Sequence, residues 1–247
     1  GGHKMKMLAF SVRNAKEILR DPLTIFFGLG FPIVLIALLS AIQANIPVGL
    51  FEIGRLTPGI TVFGLSFMTL FAATLIAKDR ESALLQRLYT TPLTAMDFII
   101  GYALPILPIA VGQSAICYIA AIILGLPITV TILYAIAFIV PVSLFFVALG
   151  LLCGSVFNVK QAGGICGALL TNAAAWLSGT WFDLELVGGA LKKIAYVLPF
   201  VHAVELERAV LRADYAGIFP HILWVLGYAA AATAVAVWCF LRQMRNQ

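Results

Sequence analysis

Two groupings in this 247-residue chain bring together side chains that can do more than pack. The first is the run from Lys78 to Thr94, which opens on four consecutive charges, Lys78-Asp79-Arg80-Glu81, and closes on Thr91-Pro92-Leu93-Thr94. Strong helix formers over 80–88 place Leu84, Leu85 and Leu88 on one side of a short helix, and Thr91-Pro92 stops it. Such a helix offers apolar knobs and charges to a protein partner; the plainer reading is a solvated loop whose charges only orient the chain. The second grouping is His202 and Glu205, three residues apart and therefore on one helix face. Those side chains suit a metal or a proton relay. No third ligand is evident, however, and Glu205 with Arg208 makes the simpler i,i+3 ion pair. His221 reads as a lone hydrogen-bonded residue near an interface.

Other chemistries lack a necessary part. Ser178-Gly179 could suggest an intramembrane serine protease, but no positioned base accompanies the hydroxyl. No G-x-x-x-x-G-K-[ST] occurs, so any energy from ATP must arrive through another polypeptide. The small-residue run Gly163-Gly164-Ile165-Cys166-Gly167 reads instead as a surface for close helix packing. Cys117, Cys153, Cys166 and Cys239 all lie in apolar stretches without ligand spacing, and they read as small buried hydrophobes; no metal or cofactor site is expected. Gln113, Ser114, Ser143, Thr171 and Asn172 are the polar residues deepest in apolar sequence. They either bond between helices, at about 0.6 kcal/mol each, or line a substrate path. For Asn172 both roles stay open.

The elements that hold these residues follow from composition. Hydrophobic residues make up 62% and charged residues 11%, with a mean hydropathy of +1.03, against about 25% charged in a soluble domain. A water-soluble enzyme is excluded, and the net charge of +5 lies in short clusters between apolar runs rather than on a face for nucleic acid. Six stretches reach the roughly 20 apolar residues of a spanning helix: 22–43, 58–77, 97–124, 130–153, 163–180 and 218–241. Asp21-Pro22 and Thr57-Pro58 each place a capping side chain before a proline at the first helical position. Thr94-x-x-Asp97 resembles a capping box. Pro32, Pro105, Pro108 and Pro141 fall within spans, with bends expected near Pro105 and Pro108.

Six spans put both termini on one side. Eleven Lys and Arg residues fall on that side and five on the other, which places the termini in the cytoplasm by the positive-inside rule. Residues 5–20 carry Met5, Leu8, Val12, Ala15 and Leu19 at alternating steps of three and four, with Lys6, Arg13, Lys16 and Arg20 elsewhere, and form an amphipathic helix along the inner surface. The segment 181–217 is too polar to span and too apolar for a free loop. Its stripe Leu191, Ile194, Leu198, Val201 and Val204 makes it a re-entrant element of the outer leaflet, broken at Pro199. Trp176, Trp181, Trp224 and Trp238 read as interface anchors. Gly1-Gly2-His3 has the look of a residual tag, and with no secretory signal ahead of it the first apolar run is expected to stay as an anchor. The fold expected is all-α, a single polytopic domain over 1–247 with no repeat.

The segment 78–93 resembles the coupling helix of the type-2 ABC exporter permeases, with its acidic-basic start, Leu-Leu-x-Arg-Leu core and Thr-Pro-Leu end. Further matches are Arg20-Asp21-Pro22, Phe31-Pro32, Gly150-Leu151-Leu152, Gln161-Ala162, Leu177-Ser178-Gly179-Thr180 and Leu198-Pro199-Phe200-Val201-His202-Ala203 with Arg208 following. They run in order over nearly the whole chain. The family often has Gly where Ala83 stands, a change that should stiffen the coupling helix, and usually a proline-containing stretch where this chain reads Trp181-Phe182-Asp183. The resemblance implies a permease that works in pairs, as a homodimer, in the inner membrane. A separate ABC ATPase subunit carrying ATP and Mg would press on Arg80, Glu81, Leu84, Leu85, Arg87, Leu88, Tyr89, Thr91 and Pro92. The three leucines would sit in a groove on that partner. Asn172, Gln113 and Thr171 would line the substrate path, and Ser178, Gly179, Pro199, His202, Glu205 and Arg208 would shape the re-entrant segment. With no charge inside the spans, the cargo expected is amphipathic or lipid-like. The rivals are an ion-coupled carrier or channel acting without ATP, which ordinarily carries ionisable residues near the midplane, and a membrane-bound binding or immunity partner.

Overall fold

The computed structural model describes residues 1–46 and 49–246, and these are helical with no strand among them. The helices are α1 (Gly2–Leu19), α2 (Pro22–Ile25), α3 (Phe31–Asn45), α4 (Ile53–Glu81), α5 (Leu84–Tyr89), α6 (Ala95–Ile123), α7 (Val130–Val156), α8 (Val159–Gly164), α9 (Thr171–Trp176), α10 (Leu184–Val187), α11 (Gly189–Val197), α12 (Pro199–Leu211) and α13 (Ile218–Arg245). Four of them, α4, α6, α7 and α13, are each long and apolar enough to cross a membrane. The first and fifth apolar stretches are composite. Wider π-helical turns at Phe26–Gly30 and Ile165–Leu170 join α2 to α3 and α8 to α9. Extra residues in such turns interrupt the regular i to i−4 ladder, so neither stretch forms one uninterrupted α-helix.

α4 is the axis of the bundle. It is buried along most of its length, against α7, α6 and α12. Its closest neighbour is α7, because Gly150 and Gly154 present bare backbone to it. A Cβ at Gly150 would lie 2.8 Å from the Ala72 methyl, and one at Gly154 would lie 2.7 Å from Ile76. Thr69 Oγ1, on the same seam, donates to the Phe146 carbonyl at 2.6 Å. Small residues thus set the helix approach where lipid supplies no hydrophobic drive. Gly163 and Gly164 do not serve this purpose within the chain: a Cβ at either would meet nothing within 4 Å.

Two starts differ from expectation. α4 begins at Ile53, five residues before Pro58, and Thr57 bonds back to the Ile53 carbonyl at 2.7 Å instead of capping. Pro58 is therefore inside the helix, near enough to its start that only an early backbone bond is forfeited. The charged loop is not one helix over 80–88 either. α4 runs on to Glu81, Ala83 adopts φ 63°, and α5 starts afresh at Leu84. Ahead of α6 the Thr94 box is complete, with Asp97 N–H donating to Thr94 Oγ1 and Thr94 N–H to Asp97 Oδ2.

α1 lies across the start of α6 on its buried face, where Phe10 meets Phe98 and Tyr102 edge-on and Asn14 Nδ2 donates to the Gly101 carbonyl at 3.0 Å. Met5, Leu8, Val12 and Leu19 are left exposed on the opposite side, the stripe that the sequence assigns to lipid. The break at Pro199 is present, with Leu198 extended between α11 and α12. The stripe across it divides in two: Leu191 and Ile194 on α11 are exposed, while Val201 and Val204 on α12 are buried against the bundle. Trp176, Trp224 and Trp238 are exposed, but Trp181 is half-buried and packs edge-on against Phe63.

Candidate coupling surface and substrate path

The charged loop is fixed to the bundle by its own charges. Arg80 donates to the Ser155 carbonyl at 2.8 Å and to the Phe157 carbonyl at 2.6 Å, which satisfies carbonyls left open at the end of α7. Glu81 accepts from the Val159 N–H at 2.9 Å and so caps α8. Asp79, 2% exposed, takes both Nη atoms of Arg13 at 2.6 and 2.9 Å and the Tyr102 hydroxyl at 2.7 Å. Tyr89 O–H donates to Gln243 Oε1 at 3.3 Å, and Gln243 Nε2 donates onward to Ser155 at 2.6 Å. Burial pushes the Tyr89 phenol up to about 12. α5 is thereby tied to α7 and α13, with α1 and α6 held to the α4 end beside it.

This geometry divides the coupling residues into two sets. Leu85 is 1% exposed and part of the chain's own main core, and Leu88 packs against the same core. Leu84, Tyr89 and Thr91 are half-buried. Glu81, Gln86, Arg87, Thr90 and Pro92 form the exposed rim. A partner meeting the loop from outside meets this rim, with Arg87 as its exposed cation. Amphipathic spacing marks the leucine face but cannot say whose core it fills.

The path residues are not all together. Thr171 and Asn172 line a cavity of 330 Å³ with Phe63, Ala175, Trp176 and Trp181. Asn172 is exposed, its Nδ2 bonded to its own helix at the Ala168 carbonyl, 2.7 Å away. Thr171 bonds similarly to Gly167. Gln113 is elsewhere, fully buried over Gly64, where a Cβ would come within 2.1 Å of Nε2; its Oε1 has no partner among the described residues.

In the segment after α9, Ser178 Oγ meets Thr180 Oγ1 at 2.8 Å, and no base among the described residues bonds to it. Gly179 takes φ 74°, a conformation that suits glycine. Arg208 ties the segment together: it donates to Glu205 Oε1, to the Gly179 carbonyl and to the Arg55 carbonyl, at 3.2, 3.2 and 3.1 Å. The i,i+3 pair read from spacing is thus one arm of a larger clamp. His202 turns away from Glu205 and meets His221 instead. Glu207, fully buried, accepts from the Tyr118 hydroxyl at 2.9 Å. Sequence reading missed the pairings of Asp79, His221 and Glu207, since each partner lies 19 to 89 residues away and no local spacing links them.

Four apolar helices of spanning length around a loop locked to them by charge define a multi-pass membrane protein. The ABC-2 type transporter family matches residues 5–211, and the chain belongs to that family. Over 204 residues it is 26% identical to the probable multidrug ABC transporter permease YbhR of Escherichia coli strain K12, and to the same-named protein of Escherichia coli O157:H7. The match takes in 78% of this chain and 52% of that protein, so the chain spans about half the length of the curated relatives it matches.

Proposed function

We propose that this chain is the permease subunit of an ABC exporter in the inner membrane, with six spans, both termini cytoplasmic and a re-entrant segment before the last span. A separate ATPase subunit, holding ATP and Mg, would dock on the rim of Glu81, Gln86, Arg87 and Thr90. The observation that carries this reading is the loop's anchorage: Arg80 and Glu81 bond the end of α4 to α7 and α8, and Tyr89 bonds α5 to α13, so a push on the loop passes to the spans instead of bending it. A loop that only reversed the chain would need none of these bonds.

The permease would work as a pair. Gly164, Ala168 and Asn172, spaced four apart and exposed on the fifth apolar stretch, would let a second copy approach closely. The aromatic cavity beside Asn172 would then face the path between the copies and take amphipathic, drug-like or lipid-linked cargo. That a relative is called a probable multidrug permease agrees with such cargo.

The test is reconstitution of the full chain with an ABC ATPase subunit that co-purifies with it. Arg87→Glu with Gln86→Glu should abolish substrate-stimulated ATP hydrolysis while membrane insertion is kept. Undiminished stimulation in that variant would remove the rim from the coupling role.

A further inference from the structure

His202 and His221 join α12 to α13 at the end of α13 remote from the coupling loop; His221 and Gln243 are 22 residues apart on that helix, or roughly 33 Å. Their Nδ1 atoms are 2.9 Å apart. His202 Nε2 lies 2.7 Å from the Tyr196 carbonyl, which only accepts, so Nε2 carries hydrogen. In the neutral ring His202 Nδ1 is then bare, and His221 Nδ1 must be the donor. His202 also stacks on Trp224, with centroids 4.7 Å apart and planes at 2°.

We infer that His202 and His221 form one proton-binding site that clamps α12 and α11 onto α13. The proton count decides its behaviour. With no added proton, His221 Nδ1–H donates to His202. With one added proton, a bare nitrogen still faces an N–H and the bond becomes charge-assisted. With two, N–H faces N–H at 2.9 Å and the contact must open. The pair therefore keeps its hydrogen bond with one added proton and resists the second, so it titrates as a unit in two steps.

The charged groups around the pair come from several elements. Tyr196 and Lys192 face the site from α11; Glu205 and Arg208 belong to α12, with Arg212 and Asp214 just beyond it, and Arg55 comes from α4. α7, which packs on both α12 and α13, has no charged residue.

Trp224 reports on the site, because a protonated imidazole stacked on an indole quenches its emission. The full chain is placed in phospholipid nanodiscs and titrated from pH 8.5 to 4, and the emission lost in Trp224→Phe is taken as the signal. That signal should fall in two steps at least about one pH unit apart. His221→Asn keeps a donor toward His202 without a titrating ring and should leave one step. Hydrogen exchange of the α12 and α13 amides should rise below the lower midpoint in the native chain. A single step in the native chain, or two steps unchanged in His221→Asn, would overturn the site. None of these readouts requires the ATPase subunit, so they stand or fall apart from the exporter reading.

Discussion

Arg13 on the surface helix grips Asp79 at the far end of α4 through two parallel hydrogen bonds, 66 residues away in sequence. The bonded carboxylate raises the Arg13 guanidinium further above its ordinary value, so Arg13 stays charged. Asp79 is nearly sealed, whereas Arg13 keeps 36% of its side chain exposed. Arg13→Ala leaves a buried carboxylate with only Tyr102, and should cost about 2–3 kcal/mol, below the ~3–5 kcal/mol of a fully buried pair. Adding Asp79→Asn to it should recover part of that loss. Thermal unfolding of the two single variants and the double variant gives the coupling; strict additivity would deny the clamp its role.

Tyr89 gives a pH dependence with a definite sign. Its phenol is raised by burial to about 12 from a usual value near 10, so the folded state holds the proton more tightly than the unfolded chain does. The stabilisation is fully present below about pH 10 and is lost as pH rises toward 12. Tyr89→Phe should flatten the fall in thermal stability between pH 9.5 and 11.5, because Gln243 retains its bond to Ser155. An identical slope in both proteins would show that Tyr89 is not the group lost.

Ala83 strains the joint between α4 and α5. A side chain at φ 63° costs roughly 1–2 kcal/mol relative to the right-handed region, which Gly does not incur. Ala83→Gly should therefore raise stability by about 0.5–1 kcal/mol, net of the greater freedom that Gly restores to the unfolded chain. Because Ala83 lies between helices, it strains a corner and does not stiffen a helix. The readout is the denaturation midpoint in detergent; a fall of similar size would mean that φ is not positive in the native joint.

These cases also separate what sequence could reveal from what it could not. α4, α6, α7 and α13 were legible because an uninterrupted apolar run has no other stable use than a membrane span or deep core. The Thr94 box and the Pro199 break were legible because both are local. The π-helical turns after Ile25 and Gly164 were not, since the side chains there remain ordinary membrane residues. Leu85 was misplaced toward a partner because periodicity finds a face without naming its neighbour. Asp79 looked like one more loop charge, although two distant residues, Arg13 and Tyr102, make it an anchor.

Glu207 bears on the choice between exporter and ion-coupled carrier. The absence of acids from the apolar runs argued against a carrier, yet α12 inserts this carboxyl into the bundle with Oε2 on Tyr118 and Oε1 unpartnered among the described residues. A structural carboxyl needs only an acceptor for Tyr118, and Gln supplies one. Glu207→Gln should then cost less than about 1.5 kcal/mol, while Tyr118→Phe, which strands the carboxyl, should cost about 1–3 kcal/mol. A carrier would behave otherwise, since its transport would require the proton itself. Transport by Glu207→Gln, measured in vesicles with ATP and with an imposed pH gradient alone, should keep its ATP dependence and show no gradient-driven component. Loss of a gradient-driven flux present in the native chain would favour the carrier and overturn the exporter reading.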